Sequence, residues 1–264
     1  MTDTRVAVDF QDHVAHVRLA RPERLNAIDV TLLEHLVAAG DQVAALPGLR
    51  AIVLSGEGRG FCSGIDTSTL PTHTADPFPI DIATPIRGAA NLPQYAVLQW
   101  RDAPVPVIAA IHGFAFGGGF QLPLAADIRL VHPDTQMSLM ELKWGLIPDM
   151  GGMALLKPML RHDVLADLMF TARVFDGREA VGLGIATRVA DDPLQLAFEM
   201  AREIATRSPD AVRAGKRLLR IDNAEVDSRI LRSEAAEQLV LLKSANHFEA
   251  VAAGRAKRPP NFRD

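Results

Sequence analysis

Apolar and polar residues alternate over the first twenty positions. Val6–Phe10 and Val14–Leu19 read as strands, and Gln11-Asp12-His13 between them makes a hairpin. After RPERLNAID the period becomes helical over Val30–Leu46, with Asp29 as cap and Pro47-Gly48 as stop. Ala51–Leu54 is a short apolar strand that runs into the glycine-rich loop SGEGRG. Asp66–Pro85 carries Pro, Thr, Ser and Asp without a period and predicts a long surface loop. A helix is expected from about Gly88 to Arg101, ended by Asp102-Ala103-Pro104.

The second half of the pattern starts with a buried strand, Val105–Ile111. The triplet Gly117-Gly118-Gly119 follows, with a helix to Ala126 and a strand over Asp127–Val131. Gln136–Leu139 is one more strand, leading into MELKWGLIPDMGG. Leu155–Leu160 and Asp163–Thr171 read as helices. FDGREAVGLGIATRVA reads as a turn, a short helix from near Asp176 and a strand ending near Val189. After Asp191-Asp192-Pro193 the character changes. Leu194–Arg207, Asp210–Arg220 and Val226–His247 are all helical, and GRAKRPPNFRD is a basic tail. The expected fold is therefore α/β over residues 1–192, with a helical region over 193–264. The last long helix is rich in Leu, Val and Ala with little to cover it, so a homo-oligomer is expected.

Bulk properties narrow the function classes. A chain of 264 residues can bury a large core, and 48% hydrophobic with 23% charged residues is ordinary for a globular protein. The net charge of −4 offers no basic field for nucleic acid. One cysteine, Cys62, excludes an internal disulfide framework and fits a reducing compartment. The N-terminal residues lack the apolar core and cleavage site of a signal peptide, and no apolar run reaches the ~20 residues of a membrane span. A cytoplasmic protein is expected, with no membrane and no nucleic-acid partner.

The glycine triplet is the first candidate for chemistry. Without Cβ atoms another group can approach the backbone, and a helix start aims free N–H groups forward. A second glycine-marked turn, FCSGID at Phe61 to Asp66, offers a partner N–H, so the two together suit a substrate oxygen that becomes negative. Packing glycines are the bland alternative. A dinucleotide fingerprint fails on order, because the glycines fall at 113, 117, 118 and 119. A phosphate-binding GK[ST] is absent, since Gly215-Lys216 is followed by Arg217.

Glu141 and Asp149 are the second candidate. A carboxylate beside Leu, Trp and Met loses hydration, which raises its pKa toward a value useful in proton transfer. Taken singly, Glu141 reads slightly better as a helix cap or surface charge, and Asp149 as a turn residue before glycine. Gln121 stands polar within the apolar FQLPLAA, where it could orient a water or a substrate but cannot act as a base. Cys62 and Ser63 lack a partnered base, and His112 reads as a packed histidine. No H-E-x-x-H or C-x-x-C spacing supports a metal site. Arg255, Lys257, Arg258 and Arg263 are a solvated tail or a hold for phosphates.

RPERLNAID, AIVLSGEGRGFCSGID, PVPVIAAIHGFAFGGGFQLPLAADIRL, MELKWGLIPDMGG and FDGREAVGLGIATRV stand in an order and spacing that resembles the crotonase, or enoyl-CoA hydratase/isomerase, superfamily. The resemblance spans nearly the whole chain. It implies a crotonase-like spiral of strand–strand–helix turns, C-terminal helices that build a homotrimer or a dimer of trimers, and an acyl-CoA ligand from fatty-acid metabolism. It implies an oxyanion hole from the N–H groups of Ile65 and Gly118. Substrate-binding roles are expected at Gln121, Asp66, Ala27 and Lys257. No separate cofactor is implied, since coenzyme A is part of the substrate.

Hydratases of the family use two glutamates. Here the later one is kept as Glu141, after Met140 in place of proline, and the earlier is replaced by Gln121. Dienoyl-CoA isomerases carry a Glu and an Asp with the 141-to-149 separation, but have a further aspartate where this chain has Gln121. The expected activity is a double-bond shift in an unsaturated acyl-CoA, with Glu141 and Asp149 as catalytic groups. A hydratase adding water to a 2-enoyl-CoA and an acyl-CoA-binding protein without turnover are the alternatives.

Overall fold

The computed structural model describes residues 4–73, 76, 78–220 and 224–262, apart from the side chains of 224–226. The chain begins with an antiparallel hairpin of β1 (Val6–Gln11) and β2 (Val14–Leu19), paired from Val6↔Leu19 to Gln11↔Val14. The turn closes on two residues only. Asp12 and His13 both take positive φ, at 50° and 69°, which matches the twist of the strands they join. α1 (Val30–Ala44) follows, and the Asp29 carboxylate accepts the Leu32 N–H at its start.

The hairpin opens a six-stranded sheet. β3 (Ala51–Gly56), β4 (Val107–Ile111), β6 (Ile128–Val131) and β8 (Arg188–Val189) all add in parallel, in the order β1-β2-β3-β4-β6-β8. β4 is apolar throughout, and β3 is apolar over Ala51–Leu54, because both faces of the sheet are covered. The inner face meets the main core. The outer face, with Val53, Ile108 and Leu130, packs on Ala197, Ala201 and Ala205 of α7 (Pro193–Ala205). Those alanines recur every four residues and let the helix approach the strands closely.

A second, shorter layer was not evident in the sequence pattern. β5 (Phe114–Phe116) pairs in parallel with β7 (Gln136–Ser138), and single bridges extend the layer to Cys62 and to Phe175. Three strands of the main sheet, β3, β4 and β6, are each followed by a short strand or bridge of the second layer and then by a helical segment. β3 leads through Cys62 to α2 (Leu92–Asp102), and β4 leads through β5 to α3 (Gly118–Leu124). β6 leads through β7 to a 3-10 turn, Glu141–Trp144. This is the expected spiral of strand–strand–helix units.

Three expected boundaries move. α2 starts at Leu92 rather than near Gly88, because Asn91 and Gln94 form a reciprocal capping box there. The helix expected at Leu155–Leu160 is α4 (Gly152–Leu156), followed by α5 (His162–Thr171) and α6 (Gly177–Gly182). After α8 (Pro209–Leu219), the single helix expected at Val226–His247 is two, α9 (Ala224–Leu241) and α10 (Ala245–Ala256). Ser244 caps α10 by accepting the His247 N–H at 3.1 Å, and α10 runs on into the expected tail. The stretch 66–85 also does more than cover the surface. Its Leu70, Ile80 and Ile82 are buried in the main core. No helix among the described residues is long and apolar enough to cross a membrane.

Candidate active site

The two glycine turns interlock. A Cβ on Gly119 would lie 2.5 Å from the Cys62 carbonyl oxygen, and one on Gly64 would lie 2.6 Å from that of Phe116. Only bare backbone lets these segments meet. Gly117 caps α3 with φ +51° and ψ −123°, a conformation that needs glycine. Gly118 is different again. A Cβ there would point at Met150 Sδ (2.5 Å) and Ile28 Cδ1 (2.9 Å), two side chains that line a cavity of about 120 Å³. The three glycines therefore do three jobs, and the middle one faces the cavity.

Ile65 and Gly118 both line this cavity. Next to Ile65, the Gly64 N–H is taken by Cys62 Sγ (3.4 Å) and the Asp66 N–H by the Ile28 carbonyl (2.8 Å). The N–H groups of Ile65 and Gly118 themselves find no acceptor among the described residues. Asn26 supports this arrangement from behind. Fully buried, it donates to the carbonyls of Glu57, Gly60 and Phe61, and its own carbonyl accepts the Cys62 thiol at 3.0 Å. Burial pushes the Cys62 thiol up to about 12, so Cys62 is a packing residue.

Glu141 opens the 3-10 turn and is 8% exposed. Its Oε1 accepts from Gln121 Nε2 at 2.6 Å, while Oε2 is buried with no partner among the described residues. Burial raises its carboxyl to about 7, against the opposing effect of the Gln121 hydrogen bond. The turn ends at Gly145 (φ +69°), which lies against the backbone of His247 on α10. His247 Nδ1 bonds the Trp144 carbonyl at 2.8 Å, and Trp144 covers Gly254 of the same helix. Asp149 lines the cavity from the following loop. Burial raises its carboxyl to about 7, and a hydrogen bond from Gln238 opposes the rise.

Gln121 lines the cavity, yet protein groups engage both ends of its amide. Nε2 serves Glu141, and Oε1 accepts the N–H groups of Met150 and Gly152, each at 3.0 Å. These two donors fix which end of the amide is which. The remaining expected binding residues lie apart. Ala27 and Asp66 are buried outside the cavity lining, and Asp66 is held by Ser68 and Arg21. Lys257 is exposed at the end of α10. Its neighbour Arg255 ties that helix to the Thr67 carbonyl (2.8 Å), just beyond Ile65. Arg258 pairs with Glu249, and Arg263 lies outside the described residues.

Most of the remaining lining is apolar, with Ser63, Thr67 and Gln238 as its further polar residues. Ile28 and Leu33 come from the first helical region, and Phe78, Ile80 and Ile82 come from the 66–85 stretch. Two polar residues escaped the sequence reading, Glu234 and Gln238 on α9, 4% and 3% exposed. Four residues apart, they read as the solvated face of a helix, and only packing shows them buried. Asn26 was also missed, although a polar residue inside a strand-to-helix turn is a signal of local hydrogen bonding.

Known proteins share this plan. A family described as Enoyl-CoA hydratase/isomerase matches residues 9–264. The chain is 32% identical over 255 residues to the mitochondrial Delta(3,5)-Delta(2,4)-dienoyl-CoA isomerase of Mus musculus, covering 94% of this chain and 78% of that protein. It is also 32% identical over 249 residues to the mitochondrial methylglutaconyl-CoA hydratase of the same organism, covering 90% and 76%. A crystal structure of an enoyl-CoA hydratase from Mycobacterium avium subsp. paratuberculosis superposes with a TM-score of 0.85 at 25% identity, over 98% of this chain and 99% of that one.

Proposed function

Since the chain belongs to the enoyl-CoA hydratase/isomerase family, we propose that it shifts a double bond along an unsaturated acyl-CoA by proton transfer through an enolate. The N–H groups of Ile65 and Gly118 hold the thioester oxygen. Glu141 takes a proton from the acyl carbon, and the C–H electron pair moves into the thioester to give the enolate. A proton returned at the far end of the conjugated system completes the shift, with Asp149 as the second transfer group. No atom is gained or lost, and coenzyme A arrives with the substrate, so no step calls for a further cofactor.

The observation that carries this reading is the state of Glu141. One oxygen is held by Gln121 and the other is desolvated and unpartnered, in the cavity that also holds the two unengaged amides. A buried base whose carboxyl is raised to about 7 is well matched to proton abstraction. Each oxyanion donor is worth about 3–4 kcal/mol of barrier, comparable to the base itself. Gln121 supports isomerisation over hydration. It cannot ionise, and its amide is already engaged, so a second carboxylate to activate water is missing at that place. We further propose that the protein is a homotrimer or a dimer of trimers.

Incubation with 2-enoyl-, 3-enoyl- and 3,5-dienoyl-CoA in deuterated, oxygen-labelled water tests the reaction. The expected product is a positional isomer carrying solvent deuterium and no solvent oxygen, and Glu141→Gln abolishes it. Solvent oxygen in the product would instead identify a hydratase. Acyl-CoA binding without turnover across the panel would leave a binding protein.

A further inference from the structure

The loop that carries Asp149 is held from two sides. Four consecutive N–H groups, Met150 to Met153, alternate between two acceptors. Gln121 Oε1 on α3 takes Met150 and Gly152, each at 3.0 Å. Glu234 on α9 takes Gly151 with Oε2 at 2.9 Å and Met153 with Oε1 at 3.1 Å. These groups include the free N–H donors at the start of α4, which need acceptors when buried. Gln94 of the capping box fixes Glu234 in turn, donating to its Oε2 (3.2 Å) and to the Leu231 carbonyl (2.8 Å).

One helical turn after Glu234, Gln238 reaches the other end of the same loop. Its Oε1 accepts the Ile147 N–H at 3.1 Å, and its amide stands beside the Asp149 carboxylate, whose proton affinity it lowers. The Ile147 donor leaves only the NH₂ end of Gln238 for Asp149. Gln238 also lines the cavity. The charged groups facing Asp149 are Glu141 from the 3-10 turn and Glu234 from α9.

We propose that Gln238 and Glu234 are positioning residues for Asp149, so that α9 of the C-terminal region sets the aim and proton affinity of the second transfer group in its own chain. The idea rests on the isomerase reading for its catalytic meaning, and on the bonds of Gln238 and Glu234 to the loop backbone for the clamp. Gln238 holds the Ile147 end of the loop beside Asp149, and Glu234 holds the backbone beyond it. Breaking either hold frees the carboxylate from its bearing on the substrate, and a displacement near 1 Å costs roughly a hundredfold in such sites.

The test uses the full chain labelled with carbon-13 at the Asp carboxyls, with the Asp149 signal assigned from Asp149→Asn. Its titration midpoint is followed in wild type, Gln238→Leu and Gln238→Glu. The Glu variant keeps an acceptor for the Ile147 N–H, so it retains the loop anchor if the Leu variant fails to fold. Gln238→Leu removes the donor that opposes desolvation and Gln238→Glu puts a like charge in its place, so the midpoint should rise from about 7 in each. Turnover of the unsaturated acyl-CoA should fall about tenfold or more in kcat with KM within about twofold, and Glu234→Gln should show the same split. An unmoved midpoint in a folded variant overturns the proposal, whatever the turnover. A moved midpoint in a protein without isomerase activity sustains the clamp and rejects the isomerase reading instead.

Discussion

Glu141 is placed at a cost to the folded state. In the unfolded chain it titrates near the ordinary value of 4.5, and in the cavity near 7. The native state therefore binds the proton more tightly. Stability from this group is complete below about pH 4.5 and is lost as pH rises through 7, where the charge must sit without water. At about 1.36 kcal/mol per unit, the ceiling on that loss is about 3 kcal/mol. Glu141→Gln keeps an oxygen for Gln121 and removes the charge. It should raise the melting temperature by several degrees at pH 8, at about 2–4 °C per kcal/mol, with the gain fading toward pH 4.5. Thermal unfolding of both proteins across that range checks the sign. A flat difference would mean that Glu141 is solvated. The sequence put Glu141 beside Leu, Trp and Met, which is enough to suspect a raised pKa. That Oε2 is the unpartnered oxygen depends on Gln121, twenty residues away, and local sequence cannot say it.

Among the elements, α3 shows how much one short helix can organise. Its glycines seat the chain against Cys62, turn it at Gly117 and leave the Gly118 amide free toward the cavity. Gln121, one turn on, then grips both Glu141 and the Asp149 loop. Gly118→Ala should leave the fold intact, since φ at Gly118 is not in the glycine-only region. The new methyl would press on Met150 Sδ and Ile28 Cδ1 and displace the bound acyl group. A loss of roughly a hundredfold in kcat/KM, at little change in melting temperature, is expected from steady-state kinetics. The triplet was legible because three glycines after an apolar strand have few uses. β5 was not, because Phe114–Phe116 is only three residues long and pairs with β7 22 positions away. The break between α9 and α10 also escaped the periodicity. Ser244 is one polar residue in a helical run, and what makes it a cap is the packing of His247 under the 3-10 turn.

At the scale of the whole chain, the C-terminal helices serve two surfaces. Toward the core, α7 covers the sheet, α9 clamps the Asp149 loop and α10 carries the 3-10 turn of Glu141. Away from the core, Leu218, Leu219 and Val240 are 68%, 81% and 67% exposed, and Phe170 of α5 is 68% exposed. Large apolar side chains in that number favour contact with further copies of the chain, which supports the proposed trimer. Sedimentation equilibrium should return three times the chain mass, or six. Leu219→Lys together with Val240→Lys should shift the protein to monomer. A wild-type monomer would reject the assembly.

Taken alone, the sequence determined the periods of most elements, the glycine triplet and its partner turn, and the two candidate carboxylates. These are local properties, set by backbone freedom and by the immediate neighbours of a side chain. Tertiary structure decided which polar groups are bonded and which are left free. It buried Glu234 and Gln238, tied Gln121 to Glu141, and left the Ile65 and Gly118 amides without acceptors. It also excluded Ala27, Asp66 and Lys257 from the cavity lining. Desolvation and hydrogen-bond saturation depend on what packs from distant parts of the chain, so the chemistry of the site emerges only when α3, α9 and the 3-10 turn meet.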